Sequence, residues 1–175
     1  MIDIKDLLNK RTVIIGDVNS GKTQYTLNII RELLASGIKD IAILDLAPEK
    51  VRGIGGKLIP PETPEVFYMT TGIVAPRLMG KNDDVIQMLA RENKQAIEKL
   101  FDTYLQNQRD IIVANDITLY LHAGSMDRLN QVLSTATTQV LNAYYGTTFQ
   151  ESSLSRREKE QVDALLKQAD IIIEL

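Results

Sequence analysis

Thr12-Val13-Ile14-Ile15 is a β-branched run that stops at Gly16, and an amphipathic helix begins a few residues later. The run has the make-up of a short buried strand. The helix has apolar residues at Leu27, Ile30, Leu33 and Leu34, at three- and four-residue spacing, and Gly37 stands where it should end. The loop between them reads Gly16-Asp17-Val18-Asn19-Ser20-Gly21-Lys22-Thr23. Its glycines let the backbone curl so that successive N–H groups point inward, and the helix N-terminus adds the positive end of its dipole. Such a loop is suited to phosphate oxygens.

The same punctuation continues along the chain. Ile41-Ala42-Ile43-Leu44, Val66-Phe67-Tyr68-Met69, Ile111-Ile112-Val113-Ala114 and Asp170-Ile171-Ile172-Ile173 read as further strands. A short entry helix is expected over residues 3–9, and a long one opening at Asn82-Asp83-Asp84 carries Leu89, Ile97, Leu100, Phe101, Tyr104 and Leu105. Ser125 is placed to cap a helix running through Met126, Leu129, Val132, Leu133, Ala136 and Val140. Ser155-Arg156-Arg157-Glu158 fits a capping box opening a last helix with Val162, Leu165 and Leu166. Short apolar strands alternating with amphipathic helices imply a three-layer α/β domain, its mainly parallel sheet covered by helices on both faces. The 175 residues suit one domain spanning 1–175.

The loop matches G-x-x-x-x-G-K-[ST] in the strand–loop–helix context that motif requires. Here the sequence resembles the P-loop NTPases, with a complete Walker A motif. The resemblance implies a nucleotide held by Gly16, Asp17, Val18, Asn19, Ser20, Gly21, Lys22, Thr23 and Gln24. Lys22 would meet the β- and γ-phosphates, and Thr23 would offer its hydroxyl to Mg²⁺. A Mg²⁺ bound to phosphates normally has a carboxylate nearby at the end of a neighbouring strand. Asp116, after Ile111–Asn115, resembles a Walker B aspartate and is favoured for the metal. Asp45, after Ile41–Leu44, is the alternative, with contact to metal water, a nucleophile or an acceptor otherwise. Ile117 stands where many P-loop ATPases carry a glutamate that polarises the attacking water. Transfer to something other than water, or slow hydrolysis in a switch, fits that departure. The guanine-reading N-K-x-D pattern is lacking, since Asn93-Lys94-Gln95-Ala96 has no aspartate, which favours ATP.

Residues 47–64 hold Pro48, Pro60, Pro61 and Pro64 with Gly53, Gly55 and Gly56, and no periodicity. A stretch this long is more often functional than idle. In an open α/β sheet, a loop leaving a strand's carboxyl end starts beside the ligand. It is expected to act as a lid, with Arg52 or Lys57 approaching an anion. Arg77 follows the third strand and could stabilise charge in phosphoryl transfer, or simply be solvated. His122 reads either as a general base or, more simply, as a loop histidine without a chemical role. Tyr144, Tyr145 and Phe149 form an aromatic cluster around Gly146, suited to core packing or to a stacked base.

Composition narrows the chemistry. The chain has no cysteine and a single histidine, which excludes disulfides, thiolate metal sites and multi-histidine metal sites. A net charge of −3 without a basic block speaks against nucleic acid. No apolar run reaches membrane-spanning length, and the acidic start, Met1-Ile2-Asp3-Ile4-Lys5-Asp6, lacks a signal-peptide core, so a cytoplasmic protein is expected. The expected function is an ATP·Mg-dependent ATPase or phosphotransferase acting on a small-molecule acceptor. The alternative is a nucleotide-dependent switch that recruits a protein partner or assembles with its own copies.

Overall fold

A computed structural model of the chain describes residues 3–175. In chain order the elements are α1 (Ile4–Leu7), β1 (Arg11–Gly16), α2 (Lys22–Ala35), β2 (Ile41–Asp45), β3 (Val66–Thr70), α3 (Pro76–Met79), α4 (Asp83–Leu105), β4 (Ile111–Asn115), α5 (Thr118–Leu121), α6 (Met126–Leu133), β5 (Thr138–Tyr144), α7 (Ser153–Leu166) and β6 (Ile171–Glu174). The strands form one six-stranded sheet in the order β3-β2-β4-β5-β1-β6, and each neighbouring pair is parallel.

Strand alternation divides the core in two. Val13, Ile15, Ala42, Leu44, Ile112, Ala114, Leu141 and Ala143 face one side, where α4, α6 and α7 bring Ile97, Phe101, Tyr104, Leu129, Val132, Val162 and Leu165. Ile14, Ile41, Ile43, Ile111, Val113 and Val140 face the other, against Ile4 and Leu7 of α1 and Ile29, Ile30 and Leu33 of α2. Both faces of the sheet are therefore apolar, as a parallel sheet under two helical layers requires. The three-layer α/β expectation is met.

Parallel register brings Gly16, Asp45, Thr70, Asn115, Tyr144 and Glu174 to one end of the sheet. At that end β1 and β5 are neighbours, yet their outgoing helices diverge. From β1 the chain enters α2 on one face, and from β5 it enters α7 on the other. Divergence of this kind opens a crevice between two strand ends, where open α/β sheets bind ligands.

Several local expectations shift. The helix from Ser125 ends at Leu133, and Val140 lies on a strand instead, because Thr138–Tyr144 is needed to fill the gap between β1 and β4. The last helix is capped by Ser152, whose side chain accepts from the Ser155 N–H. That frees Glu158 from a capping role and places it, 3% exposed, in the interior. The entry helix is shorter than 3–9. Asn82 does cap α4, accepting from the Val85 N–H, and Gly37 at φ 77° follows the end of α2.

Candidate functional site

Gly16 closes β1 where no side chain would fit, since a Cβ there would lie 2.5 Å from Ser20 Oγ and 2.6 Å from the Leu175 carbonyl oxygen. Gly21 caps α2 at φ 95°, a left-handed conformation that favours glycine. Between them the chain curls around the Lys22 ammonium, which donates to the Gly16 carbonyl at 2.9 Å and the Asp17 carbonyl at 2.6 Å. Burial lowers the Lys22 pKa from its ordinary value, opposed by Asp116 and Asp17. Asp17 turns outward and ties the loop to the segment after β5. Its carboxylate accepts from the Val18 N–H at 2.6 Å and the Thr147 N–H at 3.0 Å, and hydrogen bonds from Thr148, Thr147 and Val18 hold its pKa down at about 2.

A cavity of about 520 Å³ opens over this loop. Its wall includes Val18 to Gln24, Pro48 to Lys57 in part, Arg77, Asp116, His122, Asn142 and Tyr144. Most of the nucleotide-binding residues expected from sequence therefore converge with Asp116 and Arg77 on one cavity. Gly16 and Asp17 lie behind its wall as the base of the loop. The volume falls within the roughly 300–1,000 Å³ of small-molecule sites.

The two candidate carboxylates part company. Asp116 adopts φ 57° just past β4, and its Oδ1 accepts from the Thr118 hydroxyl. Burial raises its pKa, while Thr118, His122 and Lys22 oppose the shift. Among the described residues no protein donor meets its Oδ2. Asp45 is fully buried outside the cavity wall, and both its oxygens are engaged. Oδ1 accepts from Asn115 Nδ2 at 2.7 Å and the Ala47 N–H at 3.3 Å. Oδ2 accepts from the Leu58 N–H and the Tyr68 hydroxyl, both at 2.8 Å. Burial, and then that bond to Asp45, push the Tyr68 pKa up. The carboxylate holds the long loop to the sheet, and Asp45 does not line the cavity.

Behind the cavity runs a polar chain that the sequence reading did not single out. Asn142 donates to Asn115 Oδ1 at 2.7 Å and to the Thr26 hydroxyl at 2.9 Å, while its own Oδ1 accepts the Asp116 N–H at 2.7 Å. Thr23 Oγ1 reaches Asn115 Oδ1 at 3.4 Å, a long contact that the hydroxyl can readily exchange. Asn115, breaking an otherwise apolar strand, was the available clue to this network. Asn142 carries no such signal, standing two residues past Val140, the last residue of the expected helix.

Arg77 is committed to Glu158 through two bonds of 2.9 and 2.8 Å, with its guanidinium 4.0 Å from the Phe149 ring centroid. Tyr144 and Phe149 pack edge to face beneath it, whereas Tyr145 turns away to Asp163. His122 is a buried helix-end residue instead of a loop one, and its Nε2 lies 2.5 Å from Glu158 Oε2. Burial pushes the Glu158 pKa up, but His122 and Arg77 outweigh it and hold the group below its ordinary value. The long loop is pinned at its base by Leu58 and by Lys57, whose ammonium bonds Ala47 O, Thr70 Oγ1 and Thr71 O. Its tip, Val51–Ile54, is a tight turn with Arg52 and Gly53 at positive φ.

No helix among the described residues is long and apolar enough to cross a membrane. No protein-family model and no curated protein matches the sequence. Among solved structures, flagellar accessory protein FlaH from Methanocaldococcus jannaschii is similar, with a TM-score of 0.53 at 11% identity over 95% of this chain and 71% of that one. The fold is thus an α/β fold of the P-loop NTPase type.

Proposed function

We propose that the chain binds ATP with Mg²⁺ and transfers the terminal phosphoryl group, either to water or to a small acceptor held between the cradle and the loop at 47–64. One observation carries this reading: the Lys22 ammonium, the start of α2 and the Asp116 carboxylate all border a single cavity. A phosphate chain entering it would exchange the carbonyl partners of Lys22 for anionic oxygens, a stronger charge-assisted pairing. The loop N–H groups and the α2 dipole would add to that attraction.

The donor set suits a cation that arrives on phosphate. Among the described residues no three His, Cys, Asp or Glu side chains gather as a self-sufficient metal cage. Mg²⁺ typically keeps waters and takes one or two protein oxygens beside phosphates. Thr23 Oγ1 and the unengaged Oδ2 of Asp116 would supply them, and the bound ion would neutralise charge developing on the β- and γ-oxygens.

The second reading is a nucleotide-dependent binding module, and Ile117 is what favours it. That side chain is fully buried, so the position after Asp116 offers no group to an attacking water. Titration of the parent and Lys22→Ala with ATP and GTP, with and without Mg²⁺, tests the shared core of both readings. Binding of ATP by the parent and its loss in Lys22→Ala, with an unchanged fold, is the expected result. Equal binding by both proteins would overturn the cradle assignment. Turnover measured alongside separates the enzyme from the module.

A further inference from the structure

His122 sits at the C-terminal end of α5, its N–H bonded to the Thr118 carbonyl at 3.0 Å, and the residue borders the cavity that holds Lys22 and Asp116. Its Nε2 faces Glu158 Oε2 at 2.5 Å. In the neutral ring, a carboxylate there selects the tautomer with the proton on Nε2, which leaves the lone pair on Nδ1. Nδ1 is buried and, among the described residues, has no hydrogen-bond partner. Buried polar atoms rarely lack partners, and an exception calls for an explanation. Glu158 cannot swing away from the ring, because Arg77 grips both of its oxygens. A carboxylate held by one cation and orienting an imidazole is the arrangement that serves general-base catalysis in unrelated enzymes.

We propose that His122 Nδ1 accepts the proton of the attacking group, and that Glu158 is the positioning residue that holds the ring for it. The inference rests on the phosphoryl-transfer reading above and supplies what Ile117 does not. The attacking oxygen forms its bond to the γ-phosphorus while the bond from that phosphorus to the β,γ-bridging oxygen breaks. ADP departs with the electron pair of the broken bond. The proton of the attacking water or hydroxyl moves to Nδ1, and the imidazolium returns it to solvent after the products leave. Because Nδ1 is sealed in the structure, the wall must admit one oxygen-sized group for this to occur.

The charges around the ring come from four elements. They are Glu158 on α7, Asp116 after β4, Arg77 on α3 and Lys22 on α2. On α4, which packs against α5, Glu98 is taken up by Tyr120 and Lys94. Arg157 of α7 is spent on the Gly124 carbonyl.

Two substitutions separate a base from a structural link. In His122→Gln the amide nitrogen can still donate to Glu158, but nothing replaces Nδ1. We expect ATP·Mg²⁺ affinity within about twofold of the parent, kcat reduced roughly 10²- to 10⁴-fold, and loss of the acid limb of the kcat–pH profile. Glu158→Gln should lower kcat while leaving ATP·Mg²⁺ affinity and KM near those of the parent, since the ring would lose the carboxylate that holds it. A second measurement avoids substitution. The chain has one histidine, so its imidazole ¹⁵N signals are unambiguous. With ADP, Mg²⁺ and vanadate, Nδ1 should shift as it gains a hydrogen-bonding partner. If the parent fails to bind ATP, the nucleotide reading fails and takes this inference with it. If ATP binds, the inference alone is overturned by any of three results: parental turnover and pH profile in His122→Gln, an Nδ1 signal indifferent to the vanadate complex, or ATP binding without turnover.

Discussion

Replacing Asp45 with Asn should cost more stability than any exposed carboxylate change, and the structure allows the cost to be worked out. Four donors converge on its oxygens: the Ala47 and Leu58 N–H groups, Asn115 Nδ2 and the Tyr68 hydroxyl. An asparagine offers one oxygen and one NH₂ in their place. Its NH₂ cannot cheaply face Asn115, whose own oxygen is already bonded by Asn142. It must instead take the Oδ2 position. There Tyr68 can reverse its hydroxyl to accept, but the Leu58 N–H then confronts another donor. A hydrogen bond to a charged acceptor contributes about 1.5–3 kcal/mol, and an orphaned buried donor costs about 1–3 kcal/mol. Relief from burying a charge offsets part of this, leaving a net loss of about 3 kcal/mol. For a chain of this size that corresponds to a fall in Tm of roughly 6–12 °C. Urea and thermal unfolding would measure it, with Leu58 amide exchange as the local reporter. A loss below about 1 kcal/mol with Leu58 still protected would refute the anchoring role. Intact stability combined with loss of Mg²⁺-dependent ATP affinity would return Asp45 to the metal.

Asp116→Asn should abolish the Mg²⁺-dependent part of ATP affinity and leave metal-free binding in place, as calorimetric titrations with and without Mg²⁺ would show. In the loop, amides 50–56 should exchange rapidly without nucleotide and slow with ATP·Mg²⁺, while the Leu58 amide, held by Asp45, stays protected in both. Full protection of the tip without nucleotide would remove the lid role. Asp17 has a folded-state pKa held down to about 2 from the ordinary 3.8, so its stabilising bonds are fully present above pH 4 and fade as the pH falls towards 2. An NMR titration of its carboxyl carbon should give a midpoint near 2, and Asp17→Asn should flatten this part of the stability–pH curve. A midpoint near 4 would mean that its ties to Val18, Thr147 and Thr148 are not held in solution.

The layers, and the loop from Gly16 to Thr23, were legible because both are written locally. Strand runs such as Ile111–Ala114 and the Gly-Lys-Thr step need only neighbours in sequence to be recognised. The order of the strands was not, since it depends on which ends meet across the sheet. β5 is masked in the sequence for a related reason. Val140 falls at helical spacing from Ala136, and only the gap between β1 and β4 makes Thr138–Tyr144 a strand. Asp45 and Asp116 both end apolar strands and look alike in one dimension. What distinguishes them is a set of donors from distant segments: Leu58 and Tyr68 close over one, while the neighbouring Thr118 hydroxyl reaches the other. Ser155 has the right spacing for Glu158 to complete a capping box. Ser152 took that role, and the partners of Glu158 lie 81 and 36 residues away.

The position of β1 in the sheet bears on how the protein comes together during synthesis. The sheet partners of β1 are β5 and β6, so Arg11 meets Gln139 across 128 residues and Asp170 across 159. By contrast β2, β3 and β4 pair among themselves within residues 41–115. A chain emerging from the ribosome can assemble that half early, while its first strand waits with both edges open until the final third appears. Gly16–Thr23 is therefore framed only once β5 and β6 are in place, and a chain cut short within α7 would carry the complete motif on a strand missing one of its two neighbours.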